Sequence, residues 1–323
     1  MAKSYEYSIG SVRAKETSLF TSSEVEQMLN CSDEAQLVRY LNDKGYGEGD
    51  TVDEIIRDNT SKMWDYIKSV APDFSIFNPF FYLNDIHNLK TVLKGTMSGR
   101  DYSTLLLKPS TIDFDTLKTA VENRKFSLLP TWLSEAADSA YEVLAYTKDA
   151  RLSDAVTDKA VMEKMLEAGE SSGSEFLNNY FKTTVFYNNI KIAIRAAKVG
   201  TTEDFLKRAL CQVDEFRMTT VIKSAVKGID NLVDTLEKFS EYQLNKAIEA
   251  YKLSPSAFEK FVDNKLMLMA KEGCKRASSG PEPLMGYYLG CEAEKKVIHI
   301  IASGLRTKTD SEIIRERLRE IYG

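Results

Sequence analysis

The sequence predicts an all-α fold, and three observations support this class. Glycine (16 residues) and proline (7 residues) are scarce in a chain of 323 residues, and residues that favour helices are plentiful. Apolar residues return at helical spacing along most of the chain. The strand signal LLL at 105–107 is short and is closed by Pro109. At this length the chain can bury a substantial core, in one large domain or in several small ones.

The helices are predicted from capping residues and apolar spacing, and the cluster GYGEG at 45–49 separates the third from the fourth. This cluster lacks the strand before it and the lysine after it that a phosphate-binding loop requires, so it predicts a turn. In chain order the predicted helices are 5–20, one that starts after Ser22 or Ser23, one that starts at Ser32, one that starts at Val52, one after Asp85 that carries Asn88, 114–123, 133–146, 153–168, 174–198, and a long run over 210–271 interrupted near Ser254.

The last part of the chain, residues 281–323, predicts a long helix, a short break and a second helix. Apolar residues from Leu284 to Leu305 hold helical spacing in the first of them. Thr309 and Glu312 have the spacing of a capping box, which would start the second.

Parts of this region recur earlier in the chain. Residues 199–210 align with residues 307–318 without a gap, and the step Asn189-Ile190-Lys191 repeats Asn88-Leu89-Lys90. A period near a third of the chain exceeds the roughly 20 to 50 residues of common solenoid repeats. We therefore predict three similar helical units, at 1–101, 102–202 and 203–323, in a pseudo-threefold arrangement around a central hollow. The alternative is that any two amphipathic helices resemble each other.

Composition limits the partners and the compartment. The net charge of −5 argues against nucleic acid as the main partner. The four cysteines are isolated, so we expect small buried hydrophobic residues in a reduced, cytoplasmic protein. Polar residues near the start interrupt any signal-peptide pattern, and no apolar run approaches the roughly 20 residues that span a bilayer.

The sequence contains no recognisable catalytic constellation. The two histidines, His87 and His299, are too few for a histidine-rich metal site, and no cysteine pair accompanies them. No aspartate-rich diphosphate clamp is present. We therefore expect a chain that is not an enzyme, that binds no cofactor, metal or nucleotide, and that has no direct small-molecule substrate.

Several segments together resemble a known family. They are the opening YEYSIGSVRAKETSLF (5–20), the two asparagine steps, GYYLGCEAEKKVIHII (286–301) and the terminal RERLREIYG (315–323). They resemble the central-stalk subunit of V-type and archaeal-type rotary ATPases, named C in prokaryotic and d in eukaryotic complexes, over essentially the whole chain. One departure is Lys296-Val297-Ile298, where members usually have an Asn-Ile-Arg-like step.

This resemblance implies three helical units around a funnel-shaped hollow. Its mouth would receive the rotor shaft (D/F-type subunits), and its other face would sit on the membrane ring of proteolipid subunits (c/K type). The implied role is a non-catalytic rotor socket in ATP-linked proton or sodium transport. The chain would be cytoplasmic and peripheral, held at the inner face of the membrane through the complex.

Three basic residues near helix ends, Arg100, Lys198 and Arg306, occupy comparable positions in the three units and are candidates for the partner interface; the alternative is solvated surface. Two other functions stay open. One is a helical scaffold or adaptor unrelated to rotary ATPases. The other is a helical enzyme with a central cavity, which would need convergent carboxylates or a metal site.

Overall fold

The protein is helical throughout, in two compact bodies. The computed structural model describes residues 4–214 and 216–323, and these form sixteen α-helices and no β-strand. The predicted all-α class is therefore confirmed. The terminal body joins the residues up to Phe74 with Lys246–Gly323, and the middle body contains Ser75–Asn245. The three predicted units and their pseudo-threefold arrangement stay a prediction.

The helices differ in length: α5 (Asn78–Ser98), α9 (Glu175–Val199) and α15 (Glu282–Arg306) have 21, 25 and 25 residues. A π-helical turn, Lys271–Lys275, follows the helix that ends at Ala270. In chain order the helices are α1 (Tyr5–Glu16), α2 (Ser22–Leu29), α3 (Glu34–Asp43), α4 (Val52–Val70), α5 (Asn78–Ser98), α6 (Phe114–Glu122), α7 (Thr131–Thr147), α8 (Ala150–Ser171), α9 (Glu175–Val199), α10 (Glu203–Ala209), α11 (Met218–Val226), α12 (Ile229–Leu236), α13 (Leu244–Leu253), α14 (Pro255–Ala270), α15 (Glu282–Arg306) and α16 (Ser311–Arg317).

Polar side chains start the short helices. Thr21 and Glu24 form a complete capping box at α2. At α16 the Asp310 carboxylate accepts a hydrogen bond from the N–H of Glu312 at 2.8 Å. The predicted capping box at Thr309 was therefore wrong by one residue. Threonine and aspartate both cap helices well, and spacing alone does not choose between neighbours.

The predicted run over 210–271 was also wrong, because it is divided into four helices, α11 to α14. Gly228 separates α11 from α12 with φ of 111°, a conformation that glycine reaches without steric cost. Tyr242 and Gln243 also have positive φ and turn the chain before α13. Only the interruption at Ser254, the N-cap of α14, was anticipated.

One face of α15 supplies much of the core of the terminal body. Ile298 and Ile301 are fully buried and belong to one cluster with Met28 of α2, Leu37 of α3 and Ile55 of α4. Burying a side chain of this size stabilises a fold by about 1.5 to 3 kcal/mol. The helices at the two ends of the chain are thus held in a single body.

The glycine cluster forms the turn that its sequence predicts, and it packs against α4. A Cβ atom on Gly47 would lie 2.3 Å from the carbonyl oxygen of Ile55, so only glycine fits there. The neighbouring Tyr46 is buried, and its ring stacks on Phe20 with centroids 5.0 Å apart. Close backbone packing therefore explains Gly47.

Small residues bring two long helices of the middle body together. Ala136, Ala137 and Ala140 of α7 are buried, and the hydroxyl of Ser153 on α8 donates to the carbonyl of Ala140 at 3.0 Å. Phe181, Val185 and Ile190 of α9 are fully buried in the same body. The resulting packing leaves little freedom for rearrangement.

Candidate functional site

The ends of α5, α9 and α15 carry the three residues proposed from the sequence. Gly99 ends α5 and Gly200 ends α9, with φ of 67° and 70°, in the left-handed conformation typical of helix C-termini. After α9 and after α15 a short break leads into a seven-residue helix, α10 and α16 respectively. The aligned sequences at 199–210 and 307–318 therefore have the same local structure.

The three candidate residues differ in what holds them. Arg100 follows the end of α5, is exposed, and has no side-chain hydrogen bond or ion pair with any described residue. Lys198 is exposed in the last turn of α9. Arg306, the last residue of α15, is engaged by both carboxylate oxygens of Glu34 at 2.8 Å. Arg100 and Lys198 lie in the middle body, and Arg306 lies in the terminal body.

The repeated asparagines make the same contact in α5 and α9. The Asn88 amide donates to the carbonyl of Leu107 at 3.0 Å and accepts from its N–H at 2.7 Å. The Asn189 amide does the same with Cys211, at 2.6 and 3.0 Å. Both asparagines are fully buried. Each clamps the segment that follows its helix, because it satisfies both backbone groups of one residue.

A buried carboxyl in α15 also binds a backbone N–H. Glu294 is 3% exposed and accepts a hydrogen bond from the N–H of Phe20, just before α2. Burial raises the pKa of Glu294 to about 8; the Phe20 contact acts in the opposite direction, and Glu24 raises it further. This contact joins residues 274 positions apart in the sequence.

Further polar residues fix residues 101–112, which we call the strap, along α5. The Asp85 carboxylate, fully buried, accepts from the hydroxyl of Ser110 at 2.7 Å and from the N–H of Thr111 at 2.8 Å. The Asn84 amide donates to the carbonyl of Pro109 at 2.8 Å. These roles were not predicted from the sequence, although polar residues at 84, 85 and 88 on an otherwise apolar helix face were the available signal.

Two of the pockets formed by described residues lie in the middle body. The first, about 190 Å³, is lined by Phe186, Phe216, Phe239 and Tyr242, with an ion pair between Arg217 and Glu241 at its edge. The second, about 340 Å³, is lined mainly by charged side chains of α7, α8 and α10. Within residues 4–214 and 216–323, no group of three or more His, Cys, Asp or Glu side chains is placed to hold a metal ion.

The comparison with known families identifies the chain's relatives. The sequence profile of the ATP synthase (C/AC39) subunit family matches residues 8–317. The chain belongs to this family. The resemblance noted from the sequence is therefore confirmed, and it decides against a scaffold unrelated to rotary ATPases.

Individual relatives extend over most of the chain at low identity. The C subunit of the V-type sodium ATPase of Enterococcus hirae is 20% identical over 319 residues, which cover 96% of this chain and 97% of the relative. The C subunit of the A-type ATP synthase of Methanocaldococcus jannaschii is 21% identical and covers 97% and 86% respectively. The C subunit of the V-type ATP synthase of Thermus thermophilus is 24% identical over 73% of this chain and 76% of its own.

Two further expectations can be compared with the structure. All four cysteines, Cys31, Cys211, Cys274 and Cys291, are buried, as predicted, and none of them is in a disulfide. In the described part of the chain, no helix has the length and apolar character needed to cross a membrane.

Proposed function

We propose that this chain is the non-catalytic central-stalk component of a V-type or archaeal-type rotary ATPase. It would be a socket that couples the rotor shaft (D/F type) to the membrane proteolipid ring (c/K type) during ATP-linked proton or sodium transport. The observation that carries the proposal is the family match over residues 8–317, with relatives named as the C subunits of rotary ATPases. The chain would then be cytoplasmic and held at the membrane through the complex.

A subunit that transmits torque must be stiff, and the hydrogen bonds of the two repeated asparagines contribute to stiffness. Asn88 and Asn189 tie the segments after α5 and α9 to the helices themselves, so these breaks do not act as free hinges. Lys94 of α5 donates to Asp154 of α8 at 2.8 Å, and Lys90 pairs with Asp158 one turn away. Satisfied buried polar contacts and close-packed helices resist deformation.

Partner docking is proposed at the ends of the long helices. Three helical units around a hollow would present Arg100, Lys198 and Arg306 at comparable places. Arg100 has the strongest case, because its guanidinium has no hydrogen bond or ion pair within the described residues. Arg306 would first have to release Glu34. A charged residue at an interface rim acts mainly on the association rate and its salt dependence.

The proposal is tested by binding of the purified chain to each partner separately. Native mass spectrometry and gel filtration should show one complex with the shaft subunits and another with the detergent-solubilised proteolipid ring. A variant with Arg100, Lys198 and Arg306 replaced by glutamate should bind more weakly and with altered salt dependence. If the wild-type chain binds neither partner, the proposed function is wrong. If the variant binds like the wild type, these residues are outside the interface.

A further inference from the structure

The strap along α5 exposes leucines although its backbone is firmly held. Leu105 and Leu107 are 58% and 41% exposed, and Leu83 of α5 is 48% exposed. His87 lies one helical turn after Leu83, and its Nε2 is 3.0 Å from the carbonyl oxygen of Leu105, so the strap passes along this part of α5. We call Leu83, Leu105 and Leu107 the leucine patch.

The anchors of the strap hold the patch in one place. Tyr102 packs so closely on α5 that a Cβ on Gly95 would lie 2.1 Å from its ring. Between this anchor and the Asp85 contacts, Asn88 fixes Leu107 through both of its backbone groups. An apolar surface held on a rigid backbone loses little conformational entropy when a partner covers it, which favours binding.

The corresponding segment after α9 shows that the asparagine hydrogen bonds do not by themselves force apolar side chains into solvent. There the apolar residues Leu206, Leu210 and Cys211 are at most 1% exposed, although Asn189 makes the same two hydrogen bonds to its segment. The strap after α5 contains only a short 3₁₀ turn, Ser103–Leu105, in place of the α10 helix. Its leucines face solvent, and contiguous exposed apolar side chains often mark an interaction surface.

The charges beside the patch indicate the kind of partner. Arg100 and Lys108 flank the leucines and are exposed, and neither forms an ion pair with a described residue; Lys108 lies over the ring of Phe114. The carboxylate of Asp101 accepts the N–H of Ser103 at 3.0 Å and so faces its own loop. The charges left without a partner beside Leu105 and Leu107 in the sequence are therefore basic, although the whole chain carries a net charge of −5.

We propose that the leucine patch binds an amphipathic helix of the rotor shaft that has an apolar face bordered by acidic side chains. The apolar face would cover Leu83, Leu105 and Leu107, and the acidic border would meet Arg100 and Lys108. This inference rests on the proposed function, since it chooses the shaft as the partner. It assigns part of the shaft-binding surface to one clamped segment of the middle body.

The test compares two leucine variants of the full chain by surface plasmon resonance. The patch variant carries Leu105→Gln and Leu107→Gln, and the control carries Leu128→Gln, a leucine of the same body that is 50% exposed. The immobilised partners are purified shaft subunits and, in parallel, the proteolipid ring in detergent. Circular dichroism and thermal melting check that each variant folds, as expected for changes at exposed positions.

The expected result is at least about tenfold weaker shaft binding by the patch variant, with the Leu128 control unchanged. Arg100→Ala with Lys108→Ala should reduce the salt dependence of shaft binding. Equal shaft affinity of the patch variant and the wild type would overturn the inference and leave the proposed function standing. If the patch variant loses only ring binding, or only self-association seen by sedimentation, the patch binds another partner and the inference is also overturned. Absence of wild-type binding to shaft and ring would refute the proposed function itself.

Discussion

Replacing Glu294 by glutamine should stabilise the protein at neutral and alkaline pH. The carboxyl is almost completely buried on α15, and its hydrogen-bond partner is the N–H of Phe20. Glutamine keeps an oxygen that accepts this bond and cannot become charged. The hydroxyl of Tyr46, which is buried near Glu294, offers the new amide group an acceptor.

The size of the effect follows from the pKa of Glu294, which burial raises from 4.5 to about 8. Between these values the folded protein keeps a proton that the unfolded chain releases. Stability therefore falls as pH rises through this range, by up to about 1.4 kcal/mol per pH unit. From about pH 6 to about pH 8 the wild type should lose roughly 2 kcal/mol through this one group.

Urea unfolding at several pH values measures this difference. The free energy of unfolding of Glu294→Gln minus that of the wild type should increase by roughly 2 kcal/mol from about pH 6 to about pH 8. Glu292→Gln is the matched control, because Glu292 lies on the same helix, is partly exposed and pairs with Lys295 at 2.8 Å. The difference in the free energy of unfolding between Glu292→Gln and the wild type should stay nearly constant over the same pH range. A pH-independent difference for Glu294→Gln would refute the account of a buried, protonated carboxyl.

Three further changes test other parts of the structure. Asn189→Leu should destabilise the fold by about 2 to 4 kcal/mol in urea titration, because it leaves the buried backbone N–H and C=O of Cys211 unpaired. A loss below about 1 kcal/mol would show that these two hydrogen bonds do not hold the segment. Gly47→Ala should lower the free energy of unfolding by about 1 to 3 kcal/mol, because the new Cβ would meet the backbone of Ile55. Gly10→Ala, inside α1 with open space around it, should instead raise it by about 0.5 to 1 kcal/mol. Equal shifts in melting temperature for the two variants would show that the close approach at Gly47 is absent. Arg306→Gln should change the free energy of unfolding by less than about 1 kcal/mol, because the ion pair with Glu34 is solvent-exposed. A larger loss would show that this ion pair is needed for the stability of the terminal body.

The parts of the fold that depend on local sequence were predicted well. The helix expected over 174–198 is α9 (Glu175–Val199), and the one expected over 153–168 lies inside α8 (Ala150–Ser171). Capping residues and apolar spacing act within a few positions of each other, so they can be read from one segment. The repeated asparagines were recognised by the same local comparison.

Contacts between distant segments were not predictable in this way. Nothing near Glu294 in the sequence indicates that it binds Phe20, because the two meet only after the ends of the chain have packed into one body. The exposure of Leu105 and Leu107 was also missed, since LLL reads as buried or strand-forming. The backbone turn at Tyr242 and Gln243 lacks glycine, so composition gave no sign of the break before α13.

Reconstitution of the complete ATPase complex in liposomes, with and without this chain, tests the proposed role as rotor coupler most directly. ATP hydrolysis and ATP-driven ion uptake are measured on the same preparation. If the chain couples the rotor to the ring, omitting it should abolish ion uptake while the catalytic head still hydrolyses ATP, and adding the purified chain should restore uptake. Undiminished ATP-driven uptake in its absence would contradict the account.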